Sequence, residues 1–185
     1  MGCISFKNGI DVFSTLETKP FKEIILIDID GNLKKVEDYV NGKKLLIIVN
    51  TASFCGYTAP NYSQLVELHE KYNEKGLEIL GFPCNQFYSQ ENRGEEDIKK
   101  FTKENYNLNF PLFSKIDVNG EDTHELYIHL KKNEIYFNLG ENQLKNLPWN
   151  FTKFFVTPEG KVLKFFSPDF EPKNMEKEIV EYLEL

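Results

Sequence analysis

Hydrophobic and polar positions change period along this chain, and each change marks an element. From Ile24 to Asp30 the pattern is strand-like, and Asp30-Gly31 followed by Asn32 predicts a tight hairpin turn. A second turn signal, Asn41-Gly42, precedes Leu45-Leu46-Ile47-Ile48-Val49. An unbroken apolar run of that length, followed by a polar turn and a helical pattern, reads as a buried parallel strand feeding a helix. That helix is predicted over Asn61 to Asn73, where Tyr62, Leu65, Leu68 and Tyr72 recur at three- and four-residue steps, with Pro60 at its start. Gly76 ends it, and Leu77 to Phe82 is the next strand, so the three elements form a βαβ unit with a right-handed crossover. Helices are further predicted over Glu95 to Glu104, Thr123 to Lys131 and Glu171 to the end, with a hairpin of Phe154–Thr157 and Val162–Phe166 around Pro158-Glu159-Gly160. Strands flanked by helices, with a late antiparallel hairpin, predict a three-layer α/β sandwich.

A chain of 185 residues fits one domain with a real core, and its 41% apolar and 14% aromatic content excludes a disordered protein. Residues 1–20 show no clear period and read as an N-terminal extension, leaving residues 21–185 as the domain. The formal net charge of -7 argues against a general affinity for nucleic acid or an anionic membrane surface. No run approaches the roughly 20 apolar residues that span a bilayer. Lys7, Asn8 and Asp11 interrupt any secretory signal, and three cysteines make no disulfide framework. A reducing, cytoplasmic location is therefore expected. His69, His124 and His129 are scattered, so neither a metal site nor a bound cofactor is expected.

Cys55 carries the most chemical information. It sits in Asn50-Thr51-Ala52-Ser53-Phe54-Cys55-Gly56-Tyr57-Thr58, between the buried strand and the helix. A cysteine there lies near the positive end of the helix, where the thiolate is favoured over the thiol. Gly56 reads as a site of close backbone approach, and Thr58 as a cap for the helix. Thr58 also stands where a dithiol oxidoreductase would carry its second cysteine, which disfavours that chemistry. The peroxiredoxin pattern Pro-x-x-x-Thr-x-x-Cys fails as well, because Thr51 lies four residues before Cys55. Two distant segments offer uncharged donors: Gln86 and Gln90 in Phe82-Pro83-Cys84-Asn85-Gln86-Phe87-Tyr88-Ser89-Gln90-Glu91, and the pair in Pro148-Trp149-Asn150-Phe151-Thr152.

These three segments together resemble the glutathione peroxidase family in its cysteine form, and the resemblance runs from about Phe21 to the C-terminus. It implies a thioredoxin-like fold with a central mixed β-sheet flanked by helices. It also implies a catalytic tetrad of Cys55, Gln90, Trp149 and Asn150, with Gln90 preferred to Gln86. The implied reaction is reduction of hydrogen peroxide and organic or lipid hydroperoxides by glutathione or thioredoxin. Many cysteine-type relatives resolve the oxidised cysteine with a second one on the helix after the glutamine motif, and here that place holds Lys103. The segments Tyr106-Asn107-Leu108-Asn109-Phe110 and Phe113-Ser114-Lys115-Ile116-Asp117-Val118-Asn119-Gly120 resemble the phospholipid-hydroperoxide branch.

Several expectations follow from that departure. Cys55 is expected to work as a one-cysteine peroxidase, with Cys84 a buried structural residue. Oligomers of the family that the chain resembles carry a long insertion before the Trp-Asn pair, so by resemblance the short stretch from Lys132 to Pro148 implies a monomer with an accessible site. Met1-Gly2-Cys3 could carry myristate on Gly2 and palmitate on Cys3, although Phe6 breaks the fuller acylation pattern. A peroxide sensor or redox relay, passing oxidation from Cys55 to a partner protein, is the alternative function.

Overall fold

The computed structural model describes residues 19–132, 137–138 and 143–185. Residues 1–18, with Gly2 and Cys3, lie outside the described residues, as does much of the stretch from Lys132 to Pro148.

A four-stranded mixed sheet runs through the middle in the order β4-β3-β7-β8. Strand β3 (Leu45–Thr51) pairs in parallel with β4 (Leu77–Pro83) and antiparallel with β7 (Lys153–Val156), which in turn pairs with β8 (Val162–Phe166). Every residue of β3 and β4 is buried, as expected of strands covered on both faces. Alternate residues of β3 feed two separate cores. Leu46 and Ile48 face one that includes Phe82, Phe154 and Tyr127. Leu45, Ile47 and Val49 face another that includes Tyr62, Leu65, Phe155 and Ile179.

The second core is covered by α2 (Thr58–Tyr72) and α5 (Glu176–Leu183), the latter entered through a 3-10 turn at Pro172–Met175. The first is covered by the hairpin of β1 (Ile25–Ile27) and β2 (Leu33–Lys35), by the short α1 (Glu37–Val40), and by α4 (Glu125–Lys131). The helix α3 (Glu95–Tyr106) follows β4, and β5 (Phe137–Asn138) and β6 (Gln143–Leu144) make a small separate ribbon. This is the three-layer α/β sandwich with a mixed sheet.

The departures from expectation have local causes. The helix α2 begins at Thr58, three residues earlier than the apolar period indicates, because Pro60 is tolerated within the first turn. The expected third helix begins two residues late, at Glu125, because His124 takes its N-cap position, Nδ1 accepting the Leu126 N–H at 3.2 Å. The short α1 and the β5–β6 ribbon hold too few residues to show a period.

Gly160 closes the β7–β8 hairpin at φ +92°, and a Cβ there would stand 2.5 Å from the Cβ and Cγ of Phe21. Phe21 and Gly160 also share His129, whose ring lies 4.9 Å from the Phe21 ring and whose Nε2 bonds the Gly160 carbonyl. Replacing Gly160 with alanine therefore combines left-handed strain with overlap in the core, and it is expected to cost about 2–4 kcal/mol in denaturant unfolding.

Candidate functional site

The carboxyl ends of β3 and β4 lie side by side, and the antiparallel β7 starts at that same end. Three connections therefore converge there: the Cys55 loop after β3, the Gln90 loop after β4, and the Trp149-Asn150 segment before β7. Topology thus brings segments more than ninety positions apart in sequence to one end of the sheet.

The Cys55 loop is held by its own side chains. The Thr58 hydroxyl donates to the Ala52 carbonyl at 2.7 Å and accepts the Cys55 N–H at 3.1 Å. Thr58 thus staples the loop and sits inside the helix; the cap position is Tyr57. This corrects the expectation that Thr58 caps α2. The Cys55 side chain is nearly buried, and the Tyr57 N–H donates to its Sγ at 3.5 Å. That N–H belongs to the N-cap residue of α2 and is aimed at the sulfur. Gly56 has φ outside the left-handed region, and a Cβ there would meet nothing within 4 Å. The reading of close backbone approach at Gly56 is therefore overturned: space beside Cys55 is open.

The Gln90 loop is joined to the Cys55 loop twice. The Phe54 N–H donates to the Gln90 carbonyl at 3.0 Å, and the Ser53 hydroxyl donates to Glu91 Oε2 at 2.9 Å. Farther back, the Cys84 N–H donates to the Thr51 carbonyl at 3.0 Å. Gln86 is occupied elsewhere, accepting from the Val118 and Asn119 N–H groups and donating to the Asn119 carbonyl. Of the two glutamines, it is Gln90 that points to the convergence.

Asn150, fully buried, donates through Nδ2 to Gln90 Oε1 at 3.0 Å, while its own Oδ1 is buried without a hydrogen-bond partner. The Trp149 ring packs 5.8 Å from Phe87 and 5.3 Å from Tyr88, both on the Gln90 loop. Asn50 holds this third segment in place. Its side chain donates to the Trp149 carbonyl at 3.1 Å and accepts the Thr152 N–H at 3.1 Å, and its carbonyl accepts the Phe151 N–H at 2.6 Å. Phe151 takes φ +63°, uncommon for a residue with a side chain, and those three bonds enforce it.

Other buried polar groups surround the site. Burial pushes the Cys84 thiol up to about 11, so it stays protonated at neutral pH. Burial also raises the Glu91 carboxyl, against the lowering effect of Ser53, and Glu91 Oε1 has no hydrogen-bond partner. The Arg93 guanidinium lies 4.4 Å from the Phe54 ring centroid and 4.3 Å from that of Phe101. Phe54 and Tyr88 remain more than half exposed, which gives the opening an aromatic rim. Sequence reasoning missed Asn50 and Glu91 as supports of the site. Their signal is a polar residue inside an apolar strand or beside a motif glutamine, which becomes informative only when its partners are known. Among the described residues no group of three or more His, Cys, Asp or Glu side chains is placed to hold a metal ion.

A sequence model of the glutathione peroxidase family matches residues 21–131. The glutathione peroxidase homolog BsaA of Bacillus subtilis is 48% identical over 141 residues, covering 76% of this chain and 85% of that protein. A probable phospholipid hydroperoxide glutathione peroxidase of Citrus sinensis is 45% identical over 141 residues, covering 76% of this chain and 81% of that one. The crystal structure of T. cruzi GPX1 superposes with a TM-score of 0.65 at 31% identity, covering 90% of this chain and 97% of that one.

Glu91 gives a test of the loop clamp by itself. A carboxyl raised in the folded state favours folding below its unfolded range, and that contribution is lost as pH rises through the folded value. Glu91→Gln keeps an acceptor for Ser53 and removes the buried charge. The melting temperature of this variant should therefore gain on that of the unmutated protein as pH is raised from 4 to 8, in parallel thermal scans.

Proposed function

The chain belongs to the glutathione peroxidase family and is a thiol peroxidase, and from that premise we propose that Cys55 is its nucleophile and that Gln90, Trp149 and Asn150 hold the reacting oxygens. The observation that carries this reading is the direct bond from Asn150 to Gln90, made beside a cysteine whose sulfur accepts a helix-terminal N–H. The Cys55 thiolate attacks one peroxide oxygen, the O–O bond breaks, and the departing oxygen takes a proton to leave as alcohol or water. Sulfur is oxidised to the sulfenic acid. A thiol then condenses with the sulfenic acid, releasing water and leaving a mixed disulfide, and a second thiol reduces that disulfide. The carboxamides and the indole N–H stabilise developing oxyanion charge without carrying charge themselves.

The reductant in this proposal is glutathione or thioredoxin, attacking Cys55 directly, with no resident metal or prosthetic group. Two observations support a one-cysteine cycle. Cys84 is fully buried and its thiol is held protonated, which makes it a poor nucleophile. Lys103, where a resolving cysteine would be expected, binds Asn107 Oδ1 at 2.7 Å on α3. The open space beside Gly56 and the aromatic rim suit bulky organic hydroperoxides, phospholipid hydroperoxides included. The proposed unit is the domain of residues 21–185 working as a monomer in the cytoplasm, with residues 1–20 as an extension that acylation at Gly2 and Cys3 would anchor beside lipid. Among the described residues no helix is long and apolar enough to cross a membrane.

NADPH-coupled hydroperoxide reduction tests this, run with glutathione and its reductase and separately with thioredoxin and its reductase. Cys55→Ser should abolish turnover in both arms. Asn150→Ala and Trp149→Phe should each lower kcat/KM for peroxide by about 10²–10³. Full activity in Cys55→Ser would overturn the assignment, and trapping of partner proteins without turnover in either arm would favour a relay.

A further inference from the structure

Lys153, the first residue of β7, is completely buried, an expensive place for an ammonium group. Its Nζ donates to the Phe170 carbonyl at 2.6 Å, the Pro168 carbonyl at 3.4 Å and Asn61 Oδ1 at 3.2 Å. Asn61 lies in the first turn of α2, and its Nδ2 donates to the Tyr57 carbonyl at 2.9 Å. The Tyr57 N–H is the group that donates to Cys55 Sγ. A continuous chain of contacts therefore runs from a buried cation, through one carboxamide, to the residue that faces the sulfur. The carboxamide oxygen serves the lysine while its nitrogen serves Tyr57, whose carbonyl also accepts the Asn61 backbone N–H at 3.1 Å.

We propose that Lys153, acting through Asn61 and Tyr57, is a positioning residue that fixes the N–H donor on Cys55 Sγ and so favours the thiolate. The inference deepens the reading of Cys55 as the nucleophile and rests on it. Burial lowers the Lys153 ammonium to about 8, and Asp169, on the loop that supplies the two carbonyl partners, is the charged group that opposes this. Below that pH the cation is present and the chain of contacts is charged at one end. Above it the neutral amine holds Asn61 less firmly.

The test is the pH dependence of Cys55 alkylation by iodoacetamide in the full chain, with the modified cysteine identified by peptide mass. It needs neither peroxide nor reductant, so its outcome is independent of whether the protein turns over. Asn61→Leu keeps the branched shape and the helix while removing both side-chain bonds, and Lys153→Met removes the charge. Each should slow Cys55 alkylation below neutral pH by roughly two- to fourfold, the loss of thiolate outweighing its gain in nucleophilicity. Lys153→Arg, which keeps a cation and its donors, should restore part of the rate. If Lys153 merely ties down residues 168–170, Lys153→Met will melt earlier while folded Asn61→Leu keeps the native alkylation profile, and the proposal is overturned. The unmutated chain gives a check that needs no variant to fold. Its thiolate should alkylate faster as Lys153 discharges near pH 8, because a less stabilised thiolate is the better nucleophile. A single-step profile there contradicts the proposal.

Discussion

One buried carboxamide holds the site together. Asn50 follows the apolar run of β3 and is fully buried, and a polar side chain in that position is costly unless fully bonded. It meets that requirement by bonding the Trp149 carbonyl and the Thr152 N–H, while its own backbone carbonyl takes the Phe151 N–H. The ladder between β3 and β7 ends at the pair Val49–Lys153, so these bonds carry the pairing past the point where the strands diverge. The segment before β7 is thereby turned back over the end of β3, at the cost of a left-handed Phe151. Trp149 packs against the Gln90 loop and Asn150 bonds Gln90 only because of that turn. A strand register alone would leave the segment free to point away.

Around this fixed point the protein buries further polar pairs. Glu91 clamps Ser53, Thr58 clamps Ala52, and Lys153 holds Asn61. Each partner lies within a few residues of Cys55. Breaking one such pair while leaving the other member buried costs about 1–3 kcal/mol, more when a charge remains. A peroxidatic thiolate needs a rigid set of donors around it, since donors that reorganise during the reaction stabilise it less. The stability spent on buried polar pairs is consistent with that need.

The sequence made the large elements legible because they follow simple periods. Leu45 to Val49 reads as a buried strand and Tyr62 to Tyr72 as one face of a helix, and both are found. The candidate residues Cys55, Gln90, Trp149 and Asn150 were legible through their motifs, and topology brings their segments together. Thr58 and Gly56 were misread for a common reason: each role depends on what stands across the loop. A threonine before a helix usually caps it, but here the hydroxyl finds Ala52 and Cys55 first. A glycine beside a cysteine suggests crowding, yet nothing faces Gly56. Lys153 stands just outside the strand that the sequence predicts, Phe154–Thr157, and three acceptors converging from two other segments explain its burial.

In the proposed cycle oxidation begins and rests at Cys55, with Cys84 too deeply buried and too firmly protonated to take part. The decisive measurement is peptide mapping after one equivalent of hydroperoxide, with a sulfenic-acid trap present and no reductant. Trapped sulfenic acid on Cys55 and an unmodified Cys84 thiol are expected. A disulfide between Cys55 and Cys84, or trapped sulfenic acid on Cys84 alone, would contradict that cycle.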